Sequence, residues 1–146
     1  MGAAKLLVYG VGNPGREDDG LGPVLVELLE AARLEGVALD SNFQLNIEDA
    51  LACSKFGTVI FADASETAEA PFAFTELEPA REIAFTTHEL SPAAVLALCE
   101  ELYGRRPKAW ILAIRGYAWD IGEGLSPQAE INLSAALAFL VGRLKA

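Results

Sequence analysis

The chain has 146 residues, 52% of them hydrophobic, and 11 Lys and Arg against 21 Asp and Glu give a formal net charge of −10 at pH 7. This apolar content disfavours disorder, and the length suits one hydrophobic core, so we expect a single domain over residues 1–146. The acidic balance disfavours nucleic acid and anionic membranes as partners, and without a secretory signal or a run of about 20 apolar residues we expect a cytoplasmic protein.

In chain order, the apolar residues of the first half alternate between strand and helix patterns. Lys5 to Tyr9 is a short apolar run that ends at glycine, which predicts a buried strand. From Leu21 the apolar residues recur at helical spacing until Gly36, with Pro23 in a position that suits a first helical turn. The elements predicted next are a strand from Gly36 to Asp40, a helix capped by Asn46 that reaches about Lys55, and a strand from Thr58 to Ala62.

The second half continues this alternation. Phe72 to Leu77 predicts a weaker strand at a sheet edge. Ser91 followed by proline predicts the start of a helix, and Gly104 predicts its end. A strand from Ala109 to Ile114 follows, and then a final helix after Ser126 and Pro127. The alternation predicts an α/β fold in which helices cover both faces of a mostly parallel sheet.

The turn after the first strand is rich in glycine. Residues 10–15 formally match the GxGxxG motif, and Asp40 ends the second strand, where a dinucleotide-binding fold would bind a ribose. Three carboxylates follow at positions 17–19, however, where a pyrophosphate would need a positive helix terminus. A small nucleotide-binding domain is therefore the weaker interpretation. A purely structural alternative has Asp18 or Asp19 capping the first helix.

Nucleophile motifs are poorly represented. Cys53 and Cys99 lie in apolar helical patterns without CxxC spacing, which predicts buried thiols with no redox or metal role. The sequence has no GxSxG motif, and a cysteine–histidine pair would have to recruit one of these thiols. A hydrolase built on this chain would therefore depend on carboxylates, the single histidine and a metal ion or water.

Three polar residues are predicted to meet at one edge of the sheet. Asp19 follows the first strand, Asp63 directly follows the TVIFA strand, and His88, the only histidine, precedes the helix that begins after Ser91. In open α/β sheets, sites form outside the carboxyl ends of the strands. One imidazole and two carboxylates suit Ni²⁺ or Zn²⁺ and leave positions for water or substrate. Spacing alone is weak evidence, because a lone histidine is more often an ordinary hydrogen-bonded residue.

Four segments together resemble the hydrogenase maturation proteases. They are Gly10-Val11-Gly12-Asn13 with Arg16, Asp18-Asp19-Gly20 and Gly22; Phe61-Ala62-Asp63-Ala64; His88-Glu89-Leu90-Ser91-Pro92; and Ile114-Arg115-Gly116 before Leu125-Ser126-Pro127. Their order and approximate spacing cover nearly the whole chain, although the stretch from Asp40 to Leu45 departs from the glycine-rich version of many members. The resemblance implies a three-layer α/β/α sandwich of the phosphorylase/hydrolase-like kind, with a mostly parallel, twisted sheet.

The resemblance also implies an activity. It implies an endopeptidase that removes a short C-terminal peptide from a nickel-loaded nickel–iron hydrogenase large-subunit precursor, with the nickel supplied by that precursor. By position, Asp19, Asp63 and His88 match the catalytic and metal-contacting residues, and Asp18 is the one-residue alternative to Asp19.

Two divisions of labour remain open for these residues. Either Asp63 and His88 contact the nickel while Asp19 positions or deprotonates water, or all three bind the metal and the metal polarises the scissile carbonyl. A non-catalytic module that recognises nickel-loaded precursor would use the same residues.

Overall fold

The computed structural model describes residues 5–81 and 90–145, and in this part of the chain five strands form one sheet. The strands lie in the order β2-β1-β3-β5-β4, and β4 is antiparallel to β5 while the other pairs are parallel. The strands are β1 (Leu6–Val11), β2 (Val37–Asn42), β3 (Thr58–Ser65), β4 (Phe72–Leu77) and β5 (Lys108–Arg115). The α-helices are α1 (Leu21–Ala32), α2 (Glu48–Cys53), α3 (Pro92–Tyr103) and α4 (Pro127–Lys145), and Glu17–Gly20 forms a short 3-10 helix directly before α1.

Helices cover the sheet on both faces. On one face, α1 and α4 pack their buried leucines against β1, β3 and β5. On the other face, α2 and α3 form a second core with the alternate residues of the same strands. The α/β sandwich predicted from the sequence is confirmed. Within residues 5–81 and 90–145, no helix combines the length and apolar character needed to cross a bilayer.

Local sequence rules explain the ends of α3. The side chain of Ser91 accepts a hydrogen bond from the backbone N–H of Ala94 (3.1 Å), and Pro92 occupies the first helical position. Gly104 ends the helix in the left-handed conformation, with φ of +64°. The predicted cap, proline and stop of this helix are confirmed.

The first turn of α1 packs directly on the strands because two glycines remove side chains at the contact. A Cβ atom on Gly10 would lie 2.5 Å from the carbonyl oxygen of Gly22. A Cβ atom on Gly22 would overlap the carbonyl oxygen of Ala62 and lie 2.7 Å from that of Val11. The start of α1 is therefore pinned against β1 and β3, which fixes where the preceding loop ends.

The two cysteines belong to the core between α2 and α3. Cys53 and Cys99 are both fully buried, as predicted. The thiol of Cys99 donates to the carbonyl oxygen of Ala50 (3.1 Å). Contact with Cys99, together with burial, raises the pKa of the Cys53 thiol, so this thiol stays protonated and unreactive.

Candidate functional site

Asp63 lies at the carboxyl end of the parallel strands, on the central strand β3. It was predicted to follow the strand directly, and this detail is wrong, because β3 continues to Ser65 through its pairing with β5. Asp63 pairs with Val11, the last residue of β1, on one side and with Ala113 on the other. Its carboxylate is partly exposed and accepts a hydrogen bond from the backbone N–H of Ala64 (2.8 Å). The sheet itself therefore fixes the position of this carboxylate.

Asp19 lies in the first loop (residues 12–20), at the same edge of the sheet. The backbone N–H of Asn13, just beyond β1, donates to Oδ2 of Asp19 (2.8 Å), and the N–H of Asp19 donates to the carbonyl oxygen of Arg16 (3.1 Å). The carbonyl of Asp19 packs against Gly12, whose φ of +142° and lack of a side chain leave room for it. The partly exposed carboxylate of Asp19 is thus held at the end of β1.

Asp18 has a different role from its neighbour. Its side chain is fully buried. Its carboxylate accepts from the backbone N–H groups of Tyr117 (2.8 Å), Ala118 (3.0 Å) and Ser126 (2.8 Å), and from the hydroxyl of Ser126 (2.7 Å). The alternative in which Asp18 or Asp19 caps α1 is wrong, because the cap residue is Gly20 and no side chain bonds there. Of the two aspartates, Asp19 presents the accessible carboxylate.

The hydrogen bonds of Asp18 make part of the stability depend on pH. Burial alone would raise the pKa of Asp18, but the donors from Ser126, Tyr117 and Ala118 outweigh it and hold the pKa below its ordinary value of 3.8. A carboxyl group with a lowered folded-state pKa stabilises the fold above its unfolded pKa, and this contribution is lost as the pH falls through the folded pKa.

Asp18→Asn is therefore expected to destabilise the protein most near neutral pH. Asn retains one acceptor oxygen but turns an amide group toward backbone donors, so we expect a loss of about 2–4 kcal/mol at pH of about 7. The difference from the original protein should shrink as the pH falls below the ordinary value of 3.8 and through the lowered folded-state pKa of Asp18, where the carboxylate becomes protonated. Urea denaturation across this pH range measures the free energy of unfolding of both proteins. Glu123→Gln, which changes an exposed carboxylate, is the control and should have almost the same free energy of unfolding as the original protein at any pH. A pH-independent loss for Asp18→Asn would contradict the prediction.

The partner of the first loop is the β5–α4 loop (residues 116–126), which the sequence did not reveal. Ser126 was interpreted as a helix cap and as part of a segment that carries the resemblance, and it does accept from the N–H of Ala129 (3.3 Å). The other donors to Asp18 are backbone groups of Tyr117 and Ala118, which leave no trace in residue identities. Only Asp18 itself could have indicated such a contact, since a buried carboxylate needs several donors.

The glycine-rich turn does not present the donors that a dinucleotide needs. The N–H of Gly12 donates to the carbonyl oxygen of Asn42 (3.0 Å), that of Asn13 to Asp19 (2.8 Å), and that of Gly15 to the side chain of Asn13 (2.8 Å). A pyrophosphate would have to displace these internal partners. The nucleotide-binding interpretation is disfavoured on this ground.

His88, the third predicted site residue, lies outside the described residues. Within residues 5–81 and 90–145, no group of three or more His, Cys, Asp and Glu side chains could hold a metal ion. Leu90, the first described residue after His88, donates its N–H to the carbonyl oxygen of Leu45 (3.2 Å). The convergence of His88 with Asp19 and Asp63 therefore stays a prediction.

Comparison with solved structures gives the fold a precedent over its whole length. The NiFe hydrogenase maturation protease HycI from Thermococcus kodakarensis KOD1 superimposes with a TM-score of 0.77 at 18% identity, over 100% of this chain and 96% of that one. The chain has the fold of the hydrogenase maturation proteases. The hydrogenase maturating endopeptidase HybD from E. coli gives a TM-score of 0.77 at 24% identity, over 97% and 92% of the two chains. A hydrogenase 2 maturation peptidase from a Thaumarchaeota archaeon gives 0.69 at 23%, over 96% and 97%.

The sequence comparisons return no match. No protein-family model matches the chain, and neither does any curated protein. Identities of 18–24% to the three hydrogenase maturation proteases establish the fold. The resemblance inferred from four short segments is confirmed at the level of the fold, and the activity is taken up below as a proposal.

Proposed function

We propose that the protein is an endopeptidase that removes a short C-terminal peptide from the nickel-loaded large-subunit precursor of a nickel–iron hydrogenase. One observation carries the proposal: the hydrogenase maturation protease HycI shares the fold over 100% of this chain and 96% of its own. The positions of Asp19 and Asp63 at one edge of the sheet support it further, because the chemistry requires carboxylates at a common site.

The residue types suit a metal ion that arrives with the substrate. Two carboxylates and one imidazole are too few to enclose a transition-metal ion, but they can complete the coordination of an ion already held by precursor thiolates. In our proposal Asp63, fixed on β3, contacts the nickel together with His88. Asp19, whose carboxylate is partly exposed, orients or deprotonates the attacking water.

A cleavage assay tests the proposal directly. The purified protein is incubated with nickel-loaded precursor and, separately, with nickel-free precursor, and the mass of the large subunit is measured. We expect a shortened large subunit with the nickel-loaded precursor and an unchanged mass without nickel. An intact nickel-loaded precursor would refute the protease. If that precursor nevertheless co-purifies with the protein, the non-catalytic recognition module takes its place.

A further inference from the structure

We propose that Asp18 is a positioning residue that ties the first loop to the β5–α4 loop and thereby holds the carboxylate of Asp19 in its working orientation. The consequence for cleavage rests on the proposed function, whereas the effect on the position of Asp19 does not. Asp18 does not touch the substrate in this proposal, because its side chain is fully buried.

The first argument is the number and direction of the donors to Asp18. Two of them come from the start of the β5–α4 loop, at Tyr117 and Ala118, and two from its end, at Ser126. One carboxylate thus closes the loop on itself and attaches it to the first loop. The N–H of Asp18 also donates to the carbonyl oxygen of Ala118 (2.9 Å), so main chain and side chain hold the same partner.

The second argument is that Glu17 is held in an unfavourable conformation next to Asp18. Glu17 has φ of +50°, which is uncommon for a residue with a side chain. Its N–H donates to the carbonyl oxygen of Gly122 (2.8 Å), and its carboxylate accepts from the N–H of Asp120 (2.9 Å). A backbone of this kind persists only where surrounding contacts determine it, and here the contacts come from the β5–α4 loop.

The third argument is the short connection from Asp18 to Asp19. A single peptide bond separates a fully buried anchor from a partly exposed carboxylate. Two further hydrogen bonds restrain Asp19: its carboxylate accepts from the N–H of Asn13, and its own N–H donates to the carbonyl oxygen of Arg16. With Asp18 released, those bonds would have to hold the loop alone. Misplacing a reacting group by about 1 Å can cost about a hundredfold in rate.

Amide hydrogen exchange tests the positioning without any assumption about activity. In Asp18→Asn, the amides of Asp19 and Gly122 should exchange at least about tenfold faster, because their acceptors, the carbonyls of Arg16 and Gly15, lie in the released loop. The labelling time is kept too short for exchange through global unfolding, so amides in the β4–β5 pairing should stay protected in both proteins. Unchanged exchange at Asp19, or an equal loss of protection in β4 and β5 at the same labelling time, would overturn the proposal.

Cleavage kinetics test the chemical consequence. We expect Asp18→Asn to lower kcat about 10- to 100-fold with KM nearly unchanged. In the Asp18→Asn/Asp19→Asn double variant the losses should not multiply, since Asp18 acts through Asp19. Multiplicative losses would overturn the proposal. If the original protein cleaves no precursor, the proposed function fails, and hydrogen exchange still decides the positioning.

A second variant, Ser126→Ala, tests the same contact if Asp18→Asn fails to fold. Ser126→Ala removes one donor to Asp18 and keeps the buried carboxylate. We therefore expect faster amide exchange at Asp19 and Gly122 in this variant too, with a smaller increase than in Asp18→Asn. Ser126→Ala also loses the bond to Ala129 in α4, and faster exchange confined to α4 would contradict the proposal. Glu123→Gln, at an exposed site within the same loop, is the matched control, and its exchange at Asp19 should equal that of the original protein.

Discussion

Replacing Asp19 by Asn is expected to lower the rate of precursor cleavage about 10²- to 10⁴-fold while precursor binding stays nearly unchanged. The reason is that a general base contributes about this factor to the rate, and Asn keeps the size and one acceptor atom but cannot take a proton. The hydrogen bond from Asn13 to the side chain can persist, so the loop should stay in place. Single-turnover cleavage and pull-down of nickel-loaded precursor measure the two quantities.

The outcome for Asp19→Asn distinguishes the two divisions of labour. Equal losses of binding and cleavage would refute the base role and would favour a site in which all three residues bind the metal. Glu123→Gln removes an exposed carboxylate from the adjacent loop and should cleave within about twofold of the original rate. If Glu123→Gln lost as much cleavage rate as Asp19→Asn, the effect would come from the change in net charge, which is −10 in the original protein.

Replacing Gly22 by Ala is expected to destabilise the fold by about 3 kcal/mol or more. The added methyl group would meet backbone atoms of Ala62 and Val11, which belong to two central strands and cannot move aside. Urea denaturation measures the change. Gly142→Ala is the matched control: nothing lies within 4 Å of its added Cβ atom, and alanine favours the helix, so we expect a gain of up to about 1 kcal/mol. Similar urea midpoints for Gly22→Ala and Gly142→Ala would contradict the close packing of α1 on β1 and β3.

The sequence predicted the elements because local rules determine them. The apolar runs of β1 and β3 and the cap and stop of α3, Ser91 and Gly104, depend on nearby residues only. The end of β3 was misjudged, because Asp63 looked like the first residue beyond a buried run. The strand continues as far as its partner β5 does, and pairing between distant segments cannot be read from one run of residues.

The candidate site was predicted less completely. Asp19 and Asp63 are found at the carboxyl edge, where the rule for α/β sheets put them. Which aspartate of the first loop is accessible could not be predicted, because the burial of Asp18 depends on donors about 100 positions later in the chain. His88 lies outside the described residues, so the expectation that Asp19, Asp63 and His88 lie close together stays a prediction.

The junction between the first loop and the β5–α4 loop changes how the surface of this protein should be engineered. Connections between elements normally tolerate grafted tags, fluorophores or inserted peptides. An insertion between Tyr117 and Ser126 would instead pull apart the donors gathered on Asp18 and disturb the neighbouring aspartate.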